Sequence, residues 1–195
     1  MSRSIAILIK VLISILLFEA FTAILAVPIL LHFQRMSKVS DYMFDALKLS
    51  QEGEYEKAIS YLDKAIDYDP NHFRAYERRA ELNEQLGDNL TASGADDAKA
   101  RAYYEKAIQD YQTGSKLGGL STNVRLITLS SITRIYIKLE QYHEAKKYAE
   151  QMLEIQPGYQ RAQDLLKIIE ENSKTTLNYI FTAKRYGIPE RSQAF

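Results

Sequence analysis

Residues 42–70 read YMFDALKLSQEGEYEKAISYLDKAIDYDP, and this stretch decides the fold because its pattern recurs. Tyr42 and Gly53 return 34 residues later as Tyr76 and Gly87. A period of this length indicates tandem copies of one supersecondary unit. Each copy is too small to bury its own apolar face. The sequence therefore predicts a solenoid, in which the copies stack on one another and share a continuous core.

The residue types at these steps resemble the tetratricopeptide repeat, a helix-turn-helix unit, over roughly residues 39–172. The first copy matches the family pattern most fully. Its aromatic, small, bulky and turn positions are, in chain order, Tyr42, Ala46, Leu49, Gly53, Tyr55, Ala58, Leu62, Ala65 and Pro70. Alanines let two helix backbones approach closely, the glycine accepts positive φ after the first helix, and the proline stops the second. The resemblance implies an all-α solenoid of about three repeats plus C-terminal capping helices.

The later copies depart from the pattern. In the second copy, the polar stretch of residues 88–97 contains glycine and serine, which predicts a surface loop followed by a helix lengthened at its start. Asp96 and Asp97 are expected to cap that helix and to favour its dipole. In the third copy, Glu140 stands at the position of the turn glycine.

Two further helical segments are predicted near the C-terminus. Residues 159–172 have the apolar spacing of a capping helix that closes the exposed end of a solenoid. Within residues 173–195, a separate helix is expected to begin near Ser173 and to be followed by a frayed tail. Its narrow apolar stripe, which includes Leu177 and Phe181, is predicted to pack back on the solenoid, the alternative being a partner protein.

The N-terminal segment is the second decisive feature. From Val11 to Leu31 only four residues are not plainly apolar, and a helix of this length spans about 31 Å, close to the hydrocarbon thickness of a bilayer. A cleaved secretory signal is the alternative, but the apolar region is long for one and no clean small-x-small cleavage site follows. We predict a transmembrane anchor in residues 1–36, followed by the solenoid in residues 37–172.

One acidic residue, Glu19, lies near the middle of this apolar span. An acid at the centre of a membrane helix costs about 2.5–3.5 kcal/mol on insertion scales. Lys10 is half a turn out of phase and cannot be its partner. The hypothesis is that Glu19 contacts another membrane subunit, and the alternative is a neutral acid near the boundary of a shifted or tilted helix.

The positive charges at the two ends of the span are nearly equal in number. Arg3 and Lys10 lie at the N-terminal end, and Arg35, Lys38 and Lys48 lie at the C-terminal end. The positive-inside rule therefore discriminates poorly between the two orientations. Because short basic N-tails usually stay inside, we expect a single-pass membrane protein with its solenoid on the non-cytoplasmic side.

Composition argues against several classes of function. Lys and Arg total 25, Asp and Glu total 25, and no basic stripe with interleaved aromatics occurs, so no nucleic-acid partner is expected. The absence of cysteine excludes disulfides and thiolate sites. The three histidines have no second ligand at helical spacing, and no glycine-rich phosphate loop occurs. We predict no enzymatic activity, metal, cofactor or small-molecule substrate.

In the tetratricopeptide family, the first helix of each repeat lines a concave groove. By resemblance, the groove side chains here, called the predicted groove, are Met43, Phe44, Leu47, Arg74, Glu77, Arg78, Glu81, Glu84, Ile127, Ser130, Arg134, Ile137 and Lys138. Apolar ends and a charged middle suit a helix or an extended peptide with a few apolar anchors. Some family members clamp a C-terminal carboxylate, but of the residues at those positions only Arg78 could mimic part of the clamp.

These observations predict a membrane-anchored module for protein–protein interaction. The leading hypothesis is an accessory or assembly subunit of a larger membrane complex, with the bilayer and at least one integral membrane protein as partners. The alternative is an anchored receptor that captures passing client proteins or peptides. A third hypothesis, from another class, is a membrane-bound hydrolase or transferase with its site in residues 88–97.

Overall fold

The computed structural model describes residues 3–186, with side chains described for residues 12–179 and for Phe181. Within residues 3–186 the chain forms seven helices and no strand: α1 Arg3–Gln51, α2 Tyr55–Tyr68, α3 Phe73–Ser93, α4 Asp97–Lys116, α5 Thr122–Lys138, α6 Tyr142–Ile155 and α7 Gln160–Tyr186. Three helical hairpins, α1/α2, α3/α4 and α5/α6, stack in chain order, and α7 packs on α5 and α6. The all-α solenoid of about three repeats with a capping helix is confirmed.

Alanines occupy fully buried positions where the helices pack against one another. Ala58 and Ala65 on α2 and Ala145 and Ala149 on α6 are completely buried. Larger side chains fill the space beside them, as Met152 does in the last core cluster. The small and bulky positions of the repeat pattern therefore make the core, as the sequence predicts.

The turns inside all three hairpins use the left-handed backbone region, at Gly94 (φ +62°) in the α3/α4 hairpin. Gly53, between α1 and α2, has φ +80°, where a glycine pays no steric penalty. Glu140, at the corresponding place between α5 and α6, has φ +58° and is the one non-glycine residue with positive φ in the described part of the chain. A side chain in this region costs about 1–2 kcal/mol, so the third repeat carries strain that the first avoids.

Helix α1 is continuous over 49 residues and joins the predicted membrane segment to the first helix of the solenoid. Residues 12–38 are exposed throughout, whereas Val39 is buried in the core. By length and composition, α1 is the one helix of the described chain that could cross a membrane. The transition between the two parts is therefore a change of burial within one helix, with no break in the backbone near residue 36.

The prediction of a surface loop over residues 88–97 is wrong for most of this stretch. Helix α3 continues to Ser93, and only residues 94–96 separate it from α4. The physical reason is packing, because Leu90 contacts the core cluster that contains Ala100 and Tyr104. Asp96 does cap α4, accepting a hydrogen bond from the backbone N–H of Lys99 at 2.8 Å, as predicted.

Gly87 is consequently a helix residue rather than a turn residue. A Cβ atom built at this position would lie 2.7 Å from the ring of Tyr104, which is closer than such contacts ever come. The glycine therefore permits α3 and α4 to approach across an extended hairpin. The lengthened start of α4 is confirmed, and α3 is lengthened to match it.

The expectation of a separate final helix is also wrong. Helix α7 runs without a break through Ser173, whose hydroxyl donates to the carbonyl of Glu170 at 3.0 Å instead of capping a new helix. No glycine or proline interrupts residues 160–186. Leu177 and Phe181 are exposed, so the apolar stripe does not pack back on the solenoid. The predicted frayed tail, residues 189–195, lies outside the described residues.

Candidate functional site

The charged middle of the predicted groove is held together by contacts between α3 and α5. The buried carboxylate of Glu84 accepts a hydrogen bond from Lys138 Nζ at 2.8 Å and lies 3.7 Å from the guanidinium of Arg134. Lys138 Nζ also donates to both carboxylate oxygens of Asp88, at 2.7 and 2.9 Å. Because these partly exposed charges neutralise one another around the buried Glu84, they are poor candidates for direct pairing with a partner.

Two buried tyrosines lie beside this network. Tyr104 donates its hydroxyl hydrogen to Asp88 at 2.7 Å, and its ring centroid lies 5.5 Å from Lys138 Nζ. Burial raises the pKa of Tyr104 to about 12. Burial, and after it the charge of Glu84, also raises the pKa of Tyr111. Both rings are therefore neutral at physiological pH and serve to rigidify the junction of α3, α4 and α5.

The apolar members of the predicted groove divide into two groups. Phe44 and Leu47 on α1 are 68% and 49% exposed, and Ile127 on α5 is also exposed. Met43 and Ile137 are half-buried and pack against core clusters. Only the first group has apolar surface available to a partner.

The α3 face between these ends carries mixed charge. Arg78 and Glu81 form an ion pair at 2.7 Å, and Arg74 is exposed. Glu77 forms no ion pair among the described residues. Burial, followed by the neighbouring charge of Glu81, raises the pKa of the Glu77 carboxyl against the opposing effect of Arg74 and Arg78. This carboxylate is therefore the groove charge that would gain most from a cation supplied by a partner.

The raised pKa of Glu77 predicts a pH-dependent change of stability. The folded state binds this proton more tightly than the unfolded chain, so the ionised carboxylate subtracts stability above its pKa and has no effect once both states are protonated. Replacing Glu77 with glutamine is expected to raise the melting temperature at neutral pH. The gain should shrink as the pH falls through the raised pKa of Glu77 and should be absent below the ordinary value of 4.5. Thermal unfolding of the full chain in detergent across this range checks it. Glu150→Gln, which removes an exposed carboxylate on α6, should give no such gain.

A second polar cluster, which the sequence reasoning missed, lies between α2, α3 and α4. Arg79 on α3 donates to both carboxylate oxygens of Asp110 on α4, at 2.8 and 2.6 Å, and to Asp63 on α2. The hydrogen bonds to Asp110 are the largest cause of the raised pKa of Arg79. A cavity of about 590 Å³ opens beside this cluster, lined by the same three helices. Its central cation is paired with both carboxylates, so the cluster links the first two repeats.

One sequence signal could have pointed to this cluster. Asp110 lies between Ala107 and Tyr111 on the face of α4 that faces the core. A carboxylate on a buried face requires a cation or several hydrogen-bond donors.

Glu19, the predicted intramembrane contact, is exposed on the N-terminal half of α1. Its backbone carbonyl accepts a hydrogen bond from the Thr22 hydroxyl at 2.9 Å. The proposed contact between its carboxylate and a membrane subunit stays a prediction.

Two family models of tetratricopeptide repeats match parts of the chain. A family model described as tetratricopeptide repeat matches residues 49–72, and one described as Fis1 C-terminal tetratricopeptide repeat matches residues 136–175. No curated protein matches the chain significantly.

Three solved structures resemble the chain at low sequence identity. The first tetratricopeptide domain of Spaghetti (RPAP3), bound to the HSP90 peptide SRMEEVD, is 22% identical and has a TM-score of 0.53 over 71% of this chain and 94% of that one. The second such domain of human RPAP3, in complex with the HSP70 peptide SGPTIEEVD, is 20% identical, with a TM-score of 0.53 over 70% and 98%. The Arabidopsis OM64 domain is 15% identical, with a TM-score of 0.52 over 71% and 98%. These similarities and the two family models support tetratricopeptide repeats in this chain, folded as an all-helical solenoid.

Proposed function

We propose that this chain is a single-pass membrane protein whose tetratricopeptide solenoid binds other proteins, as an accessory or assembly subunit of a larger membrane complex. The observation that carries the proposal is the continuity of α1. Residues 12–38 of its apolar half are exposed, and none of them belongs to a core cluster of the solenoid. An apolar surface of this size is unstable in water and marks contact with a membrane or a partner. The solenoid is proposed to lie on the non-cytoplasmic side.

The chemistry of the predicted groove suggests what kind of partner it accepts. Phe44 and Leu47 offer exposed apolar surface near one end, and the Glu77 carboxylate lies on the neighbouring α3 without an ion-pair partner among the described residues. We infer a helix or an extended segment that carries two or three apolar anchors and a basic side chain.

The peptides in the two RPAP3 structures end in EEVD and are acidic. An acidic C-terminal peptide is a poor match for this groove. Arg78 is occupied by Glu81, and Lys138 is occupied by Glu84 and Asp88. We therefore propose that the groove does not act as a clamp for a C-terminal carboxylate.

The test is capture of the full chain from gently solubilised native membranes through a C-terminal tag. The variant Phe44→Ala/Leu47→Ala is compared with Leu177→Ala/Phe181→Ala on α7, whose side chains are 53% and 70% exposed and lose similar apolar area. If the groove holds the partner, the first variant should lower its recovery about tenfold or more, since an anchor residue is worth about 2 kcal/mol and 1.4 kcal/mol is tenfold. The α7 variant should retain it.

Each other outcome has a definite meaning. If the groove variant and the α7 variant recover equal amounts of the partner, the groove is not the binding surface. Salt-sensitive, substoichiometric recovery with the wild-type chain would favour the receptor alternative. Absence of any stoichiometric companion would contradict a role as a bound subunit.

A further inference from the structure

The solenoid has two edges formed by opposite sets of turns, and one edge lies near the apolar half of α1. Val39, the first buried residue of α1, shares a core cluster with Ala65 near the end of α2 and Ala75 near the start of α3. Leu117, directly after α4, packs against the same cluster. The turns after α2 and α4 are therefore level with the point where α1 enters the solenoid, and we call this side the near edge.

The near edge is within reach of lipid headgroups if α1 spans a bilayer. Val39 follows Leu31, the end of the predicted span, by eight residues, which is about 12 Å of helix at 1.5 Å per residue. The headgroup region adds about 5–8 Å on each side of the hydrocarbon core. Tyr68, in the last turn of α2, packs on Tyr42 with ring centroids 6.0 Å apart, so the turn beyond it projects toward the membrane side.

The exposed surface of the near edge is basic. Its basic side chains form no ion pair within the part of the chain that the structure describes: Arg35, Lys38, Arg74, Lys116 and Arg125. The acidic side chains here are Asp41, Asp67 and Asp69, and Asp69 accepts a hydrogen bond from the backbone N–H of Asn71 and lies 3.7 Å from His72. The exposed side chain of Tyr68 adds an aromatic ring of the kind enriched at membrane interfaces.

The opposite edge has the opposite sign. Acidic side chains outnumber basic ones at the turns after α1, α3 and α5: Glu52, Glu54, Asp96, Asp97 and Glu140 against Lys57 and Lys99, with Glu54 and Lys57 forming an ion pair at 3.0 Å. Charge is therefore polarised along the helix axes, with the basic end toward the apolar half of α1.

We infer that the near edge lies against the bilayer surface and binds anionic lipid headgroups beside the anchor, which fixes the orientation of the solenoid. This inference rests on the proposed membrane anchor. A lipid surface is the favoured occupant because the basic groups are spread over several turns at one level instead of converging in a pocket. Juxtamembrane basic residues are attracted to anionic headgroups over about one Debye length. The inference therefore requires anionic lipid in the leaflet that faces the solenoid, whichever side of the membrane that is.

The test uses single cysteines, because the chain has no native cysteine. Asn71→Cys on the near edge and Glu52→Cys on the opposite edge are labelled with a fluorophore in the full-length chain, reconstituted in phosphatidylcholine vesicles with or without phosphatidylglycerol. A nitroxide on the lipid headgroups is the quencher. We expect quenching at position 71 to be several-fold stronger with phosphatidylglycerol and to weaken at high salt. Quenching at position 52 should not change with lipid charge.

Charge reversal provides the matched control. Lys116→Glu/Arg125→Glu should abolish the response of the position 71 probe to anionic lipid, whereas Lys146→Glu/Lys147→Glu on α6 makes the same charge change and should preserve it. If the wild-type chain resists alkaline extraction but the position 71 probe ignores lipid charge, the inference is overturned while the anchor stands. If alkaline extraction releases the wild-type chain, the anchor fails and the inference fails with it. A position 71 probe shielded only when a native partner is present would also overturn it, in favour of a protein contact.

Discussion

Replacing Arg79 with leucine is expected to destabilise the solenoid by about 3 kcal/mol or more, because it leaves a buried carboxylate without its cation. Asp110 is only 5% exposed, and Arg79 supplies two of its hydrogen bonds, at 2.8 and 2.6 Å. For a chain of this length, such a loss lowers the melting temperature by about 6–12 °C. Thermal unfolding of the full chain in detergent, followed by circular dichroism, measures it.

Two further variants separate this mechanism from a general loss of packing. Asp63→Asn removes the second partner of Arg79, but the Asp63 side chain is 50% exposed and its pair is expected to be worth less than about 1 kcal/mol. The double variant Arg79→Leu/Asp110→Leu should recover most of the lost stability, since it removes the unpaired charge. A melting temperature for Arg79→Leu within a degree of wild type would refute the assignment.

Placing two lysines in the apolar half of α1 is expected to release the chain from the membrane. Leu17 and Phe21 lie one turn apart in the span, and both are exposed. Each lysine near the centre costs about 2.5–3.5 kcal/mol, so Leu17→Lys/Phe21→Lys opposes insertion by about 5–7 kcal/mol. Alkaline extraction of membranes should then find the variant in the supernatant and the wild type in the pellet.

The control makes the same change at the same spacing elsewhere. Leu177→Lys/Phe181→Lys also converts two exposed apolar side chains one turn apart, and it should remain in the pellet. A Leu17→Lys/Phe21→Lys chain that stays in the pellet like the wild type would count against the anchor. A wild-type chain found shortened at its N-terminus and in the supernatant would identify the apolar segment as a cleaved signal.

Much of the fold could be predicted because the repeat pattern encodes it locally. Ala58 and Ala65 face a neighbouring helix, and Gly53 has the positive φ that its position requires. Residues 88–93 are predicted as a loop but form the last turns of α3, since polar residues suit both a loop and the exposed face of a helix. What decides between the two is the contact of Leu90 with the core, which composition does not reveal.

The candidate site was less predictable because its charges pair over long distances in sequence. Lys138 and Glu84 are 54 residues apart, and Arg79 and Asp110 are 31 apart. The repeat pattern indicates which residues lie on α3 and α5, but it does not indicate which charges neutralise one another. As a result, Lys138 was predicted to face a partner, whereas in the structure it is held by Glu84 and Asp88.

The account depends most on the continuity of α1, since one unbroken helix joins the apolar N-terminal segment to the solenoid. A distance between spin labels at Gln34→Cys and Lys48→Cys, both exposed on α1, tests this in the full chain reconstituted in vesicles. An unbroken helix predicts one narrow distribution near 21 Å between the two Cα positions, at about 1.5 Å per residue, plus the reach of the labels. A broad distribution, or a main peak well below this distance, would contradict it.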